Sequence, residues 1–311
     1  MMSAHTTPAP GPAAAPAVPA PTPGAADGSR RRRGPRAWLG ALPLFVFAGL
    51  CFGLPLGAVL YGAVTTTDPV SGAVAATGTN ITTTLQGPYL TSLVSSVELS
   101  ALTALIGTVL GMLIAQAVVT SRGGALRESV LTASGVLANF GGIPLAFAFV
   151  ATLGISGVVT QLIHLEAAGW NLYSFTGLCV IYLYFLVPLM VLVSVPALDG
   201  LRPQWREAAQ NAGATSWQFW RHVGLPVLAP TLLGGFVLLF GSAFAAYATA
   251  AALVGGSVPL VTLKIADALS GNVQVGQENV ALALSLDMIV IAGLVMAVYL
   301  PLQRRSTRWL H

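Results

Sequence analysis

Two long apolar segments flank the polar sequence Asp199-Gly200-Leu201-Arg202-Pro203-Gln204-Trp205-Arg206-Glu207-Ala208-Ala209-Gln210-Asn211-Ala212-Gly213, which runs on to Val223-Gly224-Leu225-Pro226. Asp199-Gly200 is typical of a turn, and Pro203 suits the first turn of a helix, where a missing N–H costs nothing. Residues 204–212 favour a helix, and Gly213 stands where a left-handed cap would end it. The pattern predicts a helix, a glycine turn and a second short helix at a membrane surface.

The composition is that of an integral membrane protein. Of the 311 residues, 55% are hydrophobic and only 8% are charged, and the mean hydropathy is +0.78. These values exclude a soluble globular protein. The two cysteines, Cys51 and Cys179, lie within apolar segments and are interpreted as small apolar side chains rather than a disulfide.

Six apolar segments are long enough to cross a bilayer, which takes about 20 residues. The predicted spans are 39–64, 89–119, 129–152, 171–196, 227–254 and 280–302, with the polar loop at 199–226 between the fourth and the fifth. The predicted fold class is therefore an all-α integral membrane protein. Gly141-Gly142 and Pro144 interrupt the third span, either as a packing kink or as part of a pathway lined by protein or water.

The basic residues set the orientation of these spans. The formal charge of +4 would also fit a nucleic-acid-binding protein, but 13 of the 14 basic residues fall on one side of a six-span topology, and only Lys264 falls on the other. The positive-inside rule makes that side the cytoplasm, with both termini and the central loop. The 13 residues are Arg30, Arg31, Arg32, Arg33, Arg36, Arg122, Arg127, Arg202, Arg206, Arg221, Arg304, Arg305 and Arg308.

Both ends of the chain are predicted to be cytoplasmic tails. Residues 1–37 are rich in Pro and Ala and contain four consecutive arginines, which predicts a disordered tail. A twin-arginine or secretory signal is the alternative. The apolar segment that follows is too long for such a signal, and no small-x-small cleavage site comes after it. Residues 304–311 form a short basic tail.

The spacing within the central loop resembles a known motif. Glu207-Ala208-Ala209, three residues, Gly213, nine residues and Val223-Gly224-Leu225-Pro226 resemble the EAA loop of binding-protein-dependent ABC importer permeases, and only Val223, in place of Ile, departs from the family pattern. The resemblance covers residues 85–300. It implies a six-helix, MetI-like permease domain over 38–303 with a cytoplasmic coupling helix. The alternative is an amphipathic helix that lies at the interface without a partner.

The resemblance also implies partners. The coupling helix of such permeases docks in a groove of a cytoplasmic ATPase dimer, and an external binding protein supplies the substrate to a permease pair in a bacterial plasma membrane. The pair is expected to be a heterodimer, with a homodimer as the alternative. The residues implied in ATPase coupling are Glu207, Ala208, Ala209, Gly213, Leu225 and Pro226.

No cofactor site is predicted on this chain. Lys264 is the only lysine and lies between Leu263 and Ile265, so it cannot belong to a Walker A motif. ATP and Mg would bind to the ATPase chain instead. The four histidines are dispersed without metal-ligand spacing, which predicts no metal site and no catalytic constellation.

The substrate is predicted less directly. Residues 139–149 and 240–249 look most like permeases of the spermidine/putrescine group, with phosphonate, ferric iron, thiamine and sulfate as alternatives. Intramembrane carboxylates usually face the protein interior, where they would contact a cationic substrate or hydrogen-bond structurally. The pathway candidates are Glu98, Asn139, Ser242, Tyr247 and Asp287.

Two other classes of membrane protein, an enzyme and an ATP-independent carrier, are the alternatives to this interpretation. A membrane-embedded enzyme needs clustered polar residues within the spans, and an ATP-independent carrier commonly has repeated halves. The sequence shows neither feature, and neither class explains the spaced motif.

Overall fold

The computed structural model describes residues 37–67, 73–121, 123–270 and 278–307. Most of the predicted N-terminal tail, with its arginines, and the last four residues of the predicted C-terminal tail lie outside this description. The chain divides into two units, Met1–Gly53 and Leu54–His311. The described part of the first unit is helix α1 (Ala37–Ala48), which contains Pro43, followed by a π-helical turn at Gly49–Gly53.

The second unit is a helical bundle with one small hairpin. Strands β1 and β2 of this hairpin pair antiparallel, with Thr65 opposite Ala76 and Thr67 opposite Val74. In chain order the elements are α2 (Leu54–Ala63), β1 (Thr65–Thr67), β2 (Val74–Ala76), α3 (Thr79–Thr84), α4 (Gly87–Thr120), α5 (Gly124–Asn139), α6 (Ile143–Leu153), α7 (Val158–Leu162), a 3-10 turn (Leu165–Ala168), α8 (Phe175–Asp199), α9 (Pro203–Asn211), α10 (Ser216–Phe219), a π turn (Trp220–Gly224), α11 (Leu225–Phe244), α12 (Ala248–Val254), α13 (Val261–Leu269) and α14 (Glu278–Thr307).

Six segments of the described chain are long and apolar enough to cross a membrane, in agreement with the predicted number. They are Leu42–Ala63, Gly87–Thr120, Ile143–Leu162, Phe175–Asp199, Ser216–Phe244 and Glu278–Arg304. The third differs most from its predicted range, 129–152. Non-helical residues at 140–142 divide that range into α5 and α6, and the apolar stretch continues into α7.

The fifth predicted span, 227–254, also contains a break that hydropathy did not reveal. Helix α11 ends at Phe244, and α12 starts at Ala248. Ala245-Ala246-Tyr247 has neither Gly nor Pro, so no residue type in the sequence marks this interruption. Hydropathy measures only the continuity of apolar character, and the segment stays apolar across the break.

Helix α8 lies at the centre of the second unit. In the most apolar stretch of α8, 56% of the residues are buried. The corresponding share is 33% for α4 and 17% for α14. Tyr182, Leu186 and Met190 of α8 are fully buried in the main core cluster. Gly111 allows α4 to approach closely, because a Cβ there would lie 2.5 Å from the Met190 Cβ atom.

A smaller apolar cluster, here named the basal cluster, lies where the central loop joins the bundle. Its buried members come from α4, α8 and α11: Ala115, Val191, Val195, Leu198 and Leu228. Val130 and Leu131 of α5 pack against it, as do Leu201 and Trp220 from the two ends of the loop. Both ends of the loop are therefore fixed to the same packed group of helices.

The segment 255–279, which connects the fifth and sixth predicted spans, packs on the bundle over its described part. The N–H of Val261 at the start of α13 donates a buried hydrogen bond of 2.9 Å to the Ser96 hydroxyl of α4. Val261 and Leu263 are buried in the main core cluster. Helix α13 is therefore packed into the bundle rather than projecting from it.

Candidate coupling surface and substrate pathway

The surface of helix α9 remains largely accessible in the structure. None of its residues is buried: Glu207 and Ala208 are exposed and Ala209 is half-buried. Even Trp205 keeps 37% of its surface exposed. A helix that buries no face within its own chain gains little from tertiary packing, which supplies most helical stability in proteins. The exposed face around Glu207 is therefore free to bind another molecule.

The turn after α9 has the geometry predicted for Gly213. The residue has φ +77°, a conformation that costs an L-residue roughly 1–2 kcal/mol. Its N–H donates to the Gln210 carbonyl, and the Ala214 N–H donates to the Ala209 carbonyl, each at 2.9 Å. These two bonds form a Schellman motif, which satisfies the last carbonyls of the helix. A Cβ at Gly213 would meet no atom within 4 Å, so the backbone angle alone favours glycine.

The return from the turn to the bundle begins with a capped helix. Thr215 and Gln218 form a capping box at the start of α10, in which the Thr215 N–H donates to the Gln218 Oε1 atom at 2.7 Å. Trp220 then begins the π turn and packs on the basal cluster. A Cβ on residue 224 would lie 2.5 Å from the Trp220 ring. This close approach explains why a glycine stands between Val223 and Leu225. Leu225 and Pro226 open α11 and are exposed.

An ion pair lies next to the start of the loop. Arg127, in the first turn of α5, donates to the carboxylate of Asp199, the last residue of α8. Both side chains are about two-fifths exposed. The pair connects positions 72 residues apart in the sequence, and sequence reasoning did not identify it.

The breaks in the third and fifth predicted spans meet in the structure, and we name this region the junction: residues 140–142 and 245–247 with the adjoining Thr249. The Gly142 N–H donates to the Thr249 hydroxyl at 3.0 Å, across 107 residues of sequence. Gly142 has φ +77° and ψ −150°, a region populated essentially by glycine alone. Thr249 is 3% exposed, so little water is available to replace this bond.

A second side chain holds the other break. The hydroxyl of Tyr182 donates to the Ala246 carbonyl at 3.0 Å, and Tyr182 is 1% exposed. Breaks within spans free backbone groups that need a partner in protein or water. Tyr182 and Thr249 provide such partners from neighbouring helices. Sequence reasoning missed both residues, because neither lies in a motif and their roles depend on contacts across the bundle.

Three of the five pathway candidates lie in the junction or beside it. Asn139 ends α5 and is exposed, although its side-chain amide donates to the Gly135 carbonyl at 2.8 Å. Tyr247 lies in the second break and is 46% exposed. Ser242 lies in the last turn of α11 and is half-buried.

The two carboxylates lie elsewhere, beside α3. Glu98 is an exposed residue of α4 that lines an apolar groove with Leu85 and Ile291. Asp287 of α14 lies beside the Thr84 hydroxyl, while its Oδ2 atom is buried and has no hydrogen-bond partner among the described residues. Within the described ranges, no group of three or more His, Cys, Asp and Glu side chains is placed to hold a metal ion.

Comparison with known proteins identifies the family. A family model described as "Binding-protein-dependent transport system inner membrane component" matches residues 107–308, about two-thirds of the chain. The chain belongs to this family. The matched range includes the whole coupling loop and the junction, so both features lie within the family's own domain.

Individual relatives match over different lengths. The chain is 38% identical over 68 residues to the sulfate transport permease CysT of Escherichia coli K12, which is 22% of this chain and 24% of that protein. It is 29% identical over 211 residues to the molybdenum transport permease ModB of Mycobacterium tuberculosis, covering 66% of this chain and 76% of that protein. The chain spans about a quarter of the length of several relatives that it matches, CysT among them.

A solved structure supports the fold over most of the chain. A bacterial alginate ABC transporter, crystallised with an alginate-bound periplasmic protein, superposes with a TM-score of 0.66 at 18% identity, over 87% of this chain and 94% of that chain. The predicted all-α, multi-span fold of an ABC permease is therefore confirmed.

Proposed function

We propose that this chain is the permease subunit of an ATP-driven importer that receives its substrate from an external binding protein. The observation that carries the proposal is α9, a helix with no buried residue that ends in the Gly213 turn and carries the spaced coupling motif. Closure of an ATPase dimer would move α9, and rigid-body rotation of the helices would switch the pathway between inward and outward access. The ATPase chain would hold ATP and Mg.

Two further partners complete this proposal. A second, homologous permease, which the family resemblance implies, would form the other half of the pathway in the bacterial plasma membrane. Tyr247 at the junction, which is 46% exposed, would be available to contact it. An extracytoplasmic protein would deliver the substrate. With both termini and the coupling loop in the cytoplasm, α9 would be on the side where ATP is available.

A polyamine of the spermidine/putrescine type is one candidate substrate. The resemblance of residues 139–149 and 240–249 to permeases of that group favours it, as do the carboxylates of Glu98 and Asp287 within predicted spans. Those carboxylates would attract a cationic substrate if they faced the pathway in the assembled transporter.

A small oxyanion is the second candidate. The relatives CysT and ModB are permeases for sulfate and molybdenum. Asn139 and Tyr247, which flank the junction, are uncharged, and α6 begins there, with the positive end of its helix dipole. Neutral hydrogen-bonding groups with a positive helix end suit an anion better than a polyamine.

Uptake into proteoliposomes that contain the assembled transporter tests both the importer function and the substrate class. Radiolabelled spermidine, sulfate and molybdate distinguish the substrate classes. Glu207→Arg and Gly213→Val are expected to abolish ATP-driven uptake of the accepted substrate while leaving membrane insertion intact. Gly213→Asn is the matched control, because asparagine tolerates a positive φ. Normal uptake by Glu207→Arg and Gly213→Val would contradict the coupling role.

A further inference from the structure

Helix α5 connects the two functional regions described above. It begins near Arg127, which is bonded to Asp199 at the start of the coupling loop, and it ends at Asn139, beside the junction. We propose that α5 is a rigid strut that transmits movement of the coupling loop to the junction. Arg127 in its first turn and Thr249 of α12, which binds Gly142 beyond its last residue, are the positioning residues. This inference rests on the proposed importer function.

At the loop end, packing joins α5 to the coupling loop. Val130 and Leu131 of α5 pack on the basal cluster, and so do Leu201 and Trp220 from the two ends of the loop. Packed interiors resist continuous deformation and tend to move as units. A displacement of the loop is therefore passed to α5 together with the end of α8.

The Arg127–Asp199 ion pair sets the position of α5 within this unit. Exposed ion pairs contribute little to stability. This pair nevertheless holds the first turn of α5 against the residue at which α8 becomes the coupling loop. The role of the ion pair is therefore to align the start of α5 with the end of α8.

At the other end, the backbone of Gly142 joins the segment that follows α5 to α12. The 16 residues of α5 span about 24 Å at 1.5 Å per residue. Beyond Asn139 the chain reaches Gly142, whose N–H is bound by the Thr249 hydroxyl at 3.0 Å. The same hydroxyl lies 3.4 Å from the Gly142 carbonyl and is the donor in that contact. Movement of α5 therefore reaches α12 through Thr249.

The junction is also the place where such movement would alter a pathway. Non-helical backbone at membrane depth is tolerated only where it is buried in protein or lines a water-filled cavity. Ile143 and Tyr247, one from each side of the junction, are 52% and 46% exposed. A shift between α6 and α12 would change the access of water to both side chains.

Cysteine accessibility in the assembled transporter tests the strut. Ile143→Cys and Tyr247→Cys are introduced separately into a chain that carries Cys51→Ser and Cys179→Ala, which removes both native thiols. Each transporter is purified with its ATPase, placed in lipid nanodiscs and treated with a charged maleimide, with and without ATP and vanadate. We expect the labelling rate of both cysteines to depend on nucleotide.

Variants at the two ends of α5 separate transmission from structure. Arg127→Asp places two carboxylates together and is expected to abolish the nucleotide dependence, while the double variant Arg127→Asp/Asp199→Arg restores it. Thr249→Val is expected to abolish the dependence, and Thr249→Ser to preserve it. Glu128→Lys is the matched control, since Glu128 is the neighbouring exposed charge and its substitution should leave the dependence intact.

The following outcomes would contradict the strut proposal or the importer function on which it rests. Nucleotide dependence retained in both Arg127→Asp and Thr249→Val would show that α5 transmits nothing, and a parent chain that labels equally in both states, or in neither, would show that the junction does not move. An Arg127→Asp chain that fails to assemble, while the exchanged pair assembles, would assign the ion pair to assembly. Absence of an ATPase from the purified parent chain would instead contradict the proposed importer function.

Discussion

The coupling loop and the junction are both irregular segments between long helices, but different distances in sequence determine their structures. In the loop, the Gly213 turn and the Thr215–Gln218 capping box are formed by residues a few positions apart. At the junction, Gly142 and Thr249 are 107 residues apart, and Tyr182 and Ala246 are 64 apart. Local chemistry therefore determines the loop, whereas the packed bundle determines the junction.

The two regions also differ in burial. No residue of α9 is buried, whereas Thr249 and Tyr182 at the junction are nearly inaccessible. Substitutions in the loop should alter partner binding with little effect on the isolated chain. Substitutions at the junction should destabilise the isolated chain itself. Four substitutions test this difference, and they are given in decreasing order of the free-energy cost expected at the substituted residue.

Gly142→Ala should have the largest effect on stability. The φ and ψ angles of Gly142 are available essentially only to glycine, and such strain amounts to about 1–3 kcal/mol. We expect the free energy of unfolding in detergent to fall by that amount. Gly141→Ala is the control, because the neighbouring glycine lacks a positive φ and has open space around it. Equal effects of the two substitutions would contradict the assigned backbone strain.

Gly213→Ala should act on the partner more than on the isolated chain. The positive φ costs alanine about 1–2 kcal/mol, but the exposed end of α9 can fray without disturbing the core. We expect an unchanged thermal unfolding midpoint and less ATPase retained during purification. Gly241→Ala, at an open position without a positive φ, provides the comparison. A lower unfolding midpoint with full ATPase retention would show that Gly213 supports the stability of the chain and not ATPase binding.

Tyr182→Phe should destabilise the chain by about 1 kcal/mol, because the half-buried Ala246 carbonyl loses its hydrogen bond. Chemical denaturation in detergent micelles measures the loss. Tyr184→Phe removes a hydroxyl from the same helix, where Tyr184 makes an edge-to-face contact with Phe149 through its ring. This control should change stability less, and an equal loss would indicate that the Ala246 bond contributes nothing specific.

Arg127→Ala should have the smallest free-energy cost of the four substitutions. An exposed ion pair contributes about 0.2–1 kcal/mol, and both partners here are about two-fifths exposed. The unfolding midpoint should therefore shift little, and less still at high salt. If Arg127→Ala lowered the free energy of unfolding as much as Gly142→Ala, the ion pair would be a main contributor to stability. That result would contradict a role limited to aligning α5.

Much of the fold follows from the sequence because the length and the apolar character of each span are local properties. Gly141-Gly142 and Pro144 indicated the first break, and Gly213 indicated the turn after α9. The second break, at Ala245–Tyr247, has no such marker, because Tyr182 and Thr249 hold it through contacts across the bundle. Contacts of this kind become visible only when the helices are assembled.

The candidate site was predictable to a different degree in each region. The coupling residues are identified by spacing, and the structure places Glu207 and Gly213 on an exposed helix and its turn. The pathway candidates came from polarity within apolar segments, which does not specify direction. The structure places Asn139 and Tyr247 beside the junction, and Glu98 and Asp287 beside α3. Their contact with substrate remains a prediction.

Affinity purification of the tagged chain from its native membrane, with identification of the proteins that accompany it, tests the central claim most directly. The importer assignment predicts an ATPase subunit with a P-loop and a second permease, and Glu207→Arg should release the ATPase while retaining the permease. A chain that purifies without an ATPase under gentle detergent conditions would contradict the assignment and favour an ATP-independent carrier or a membrane-embedded enzyme.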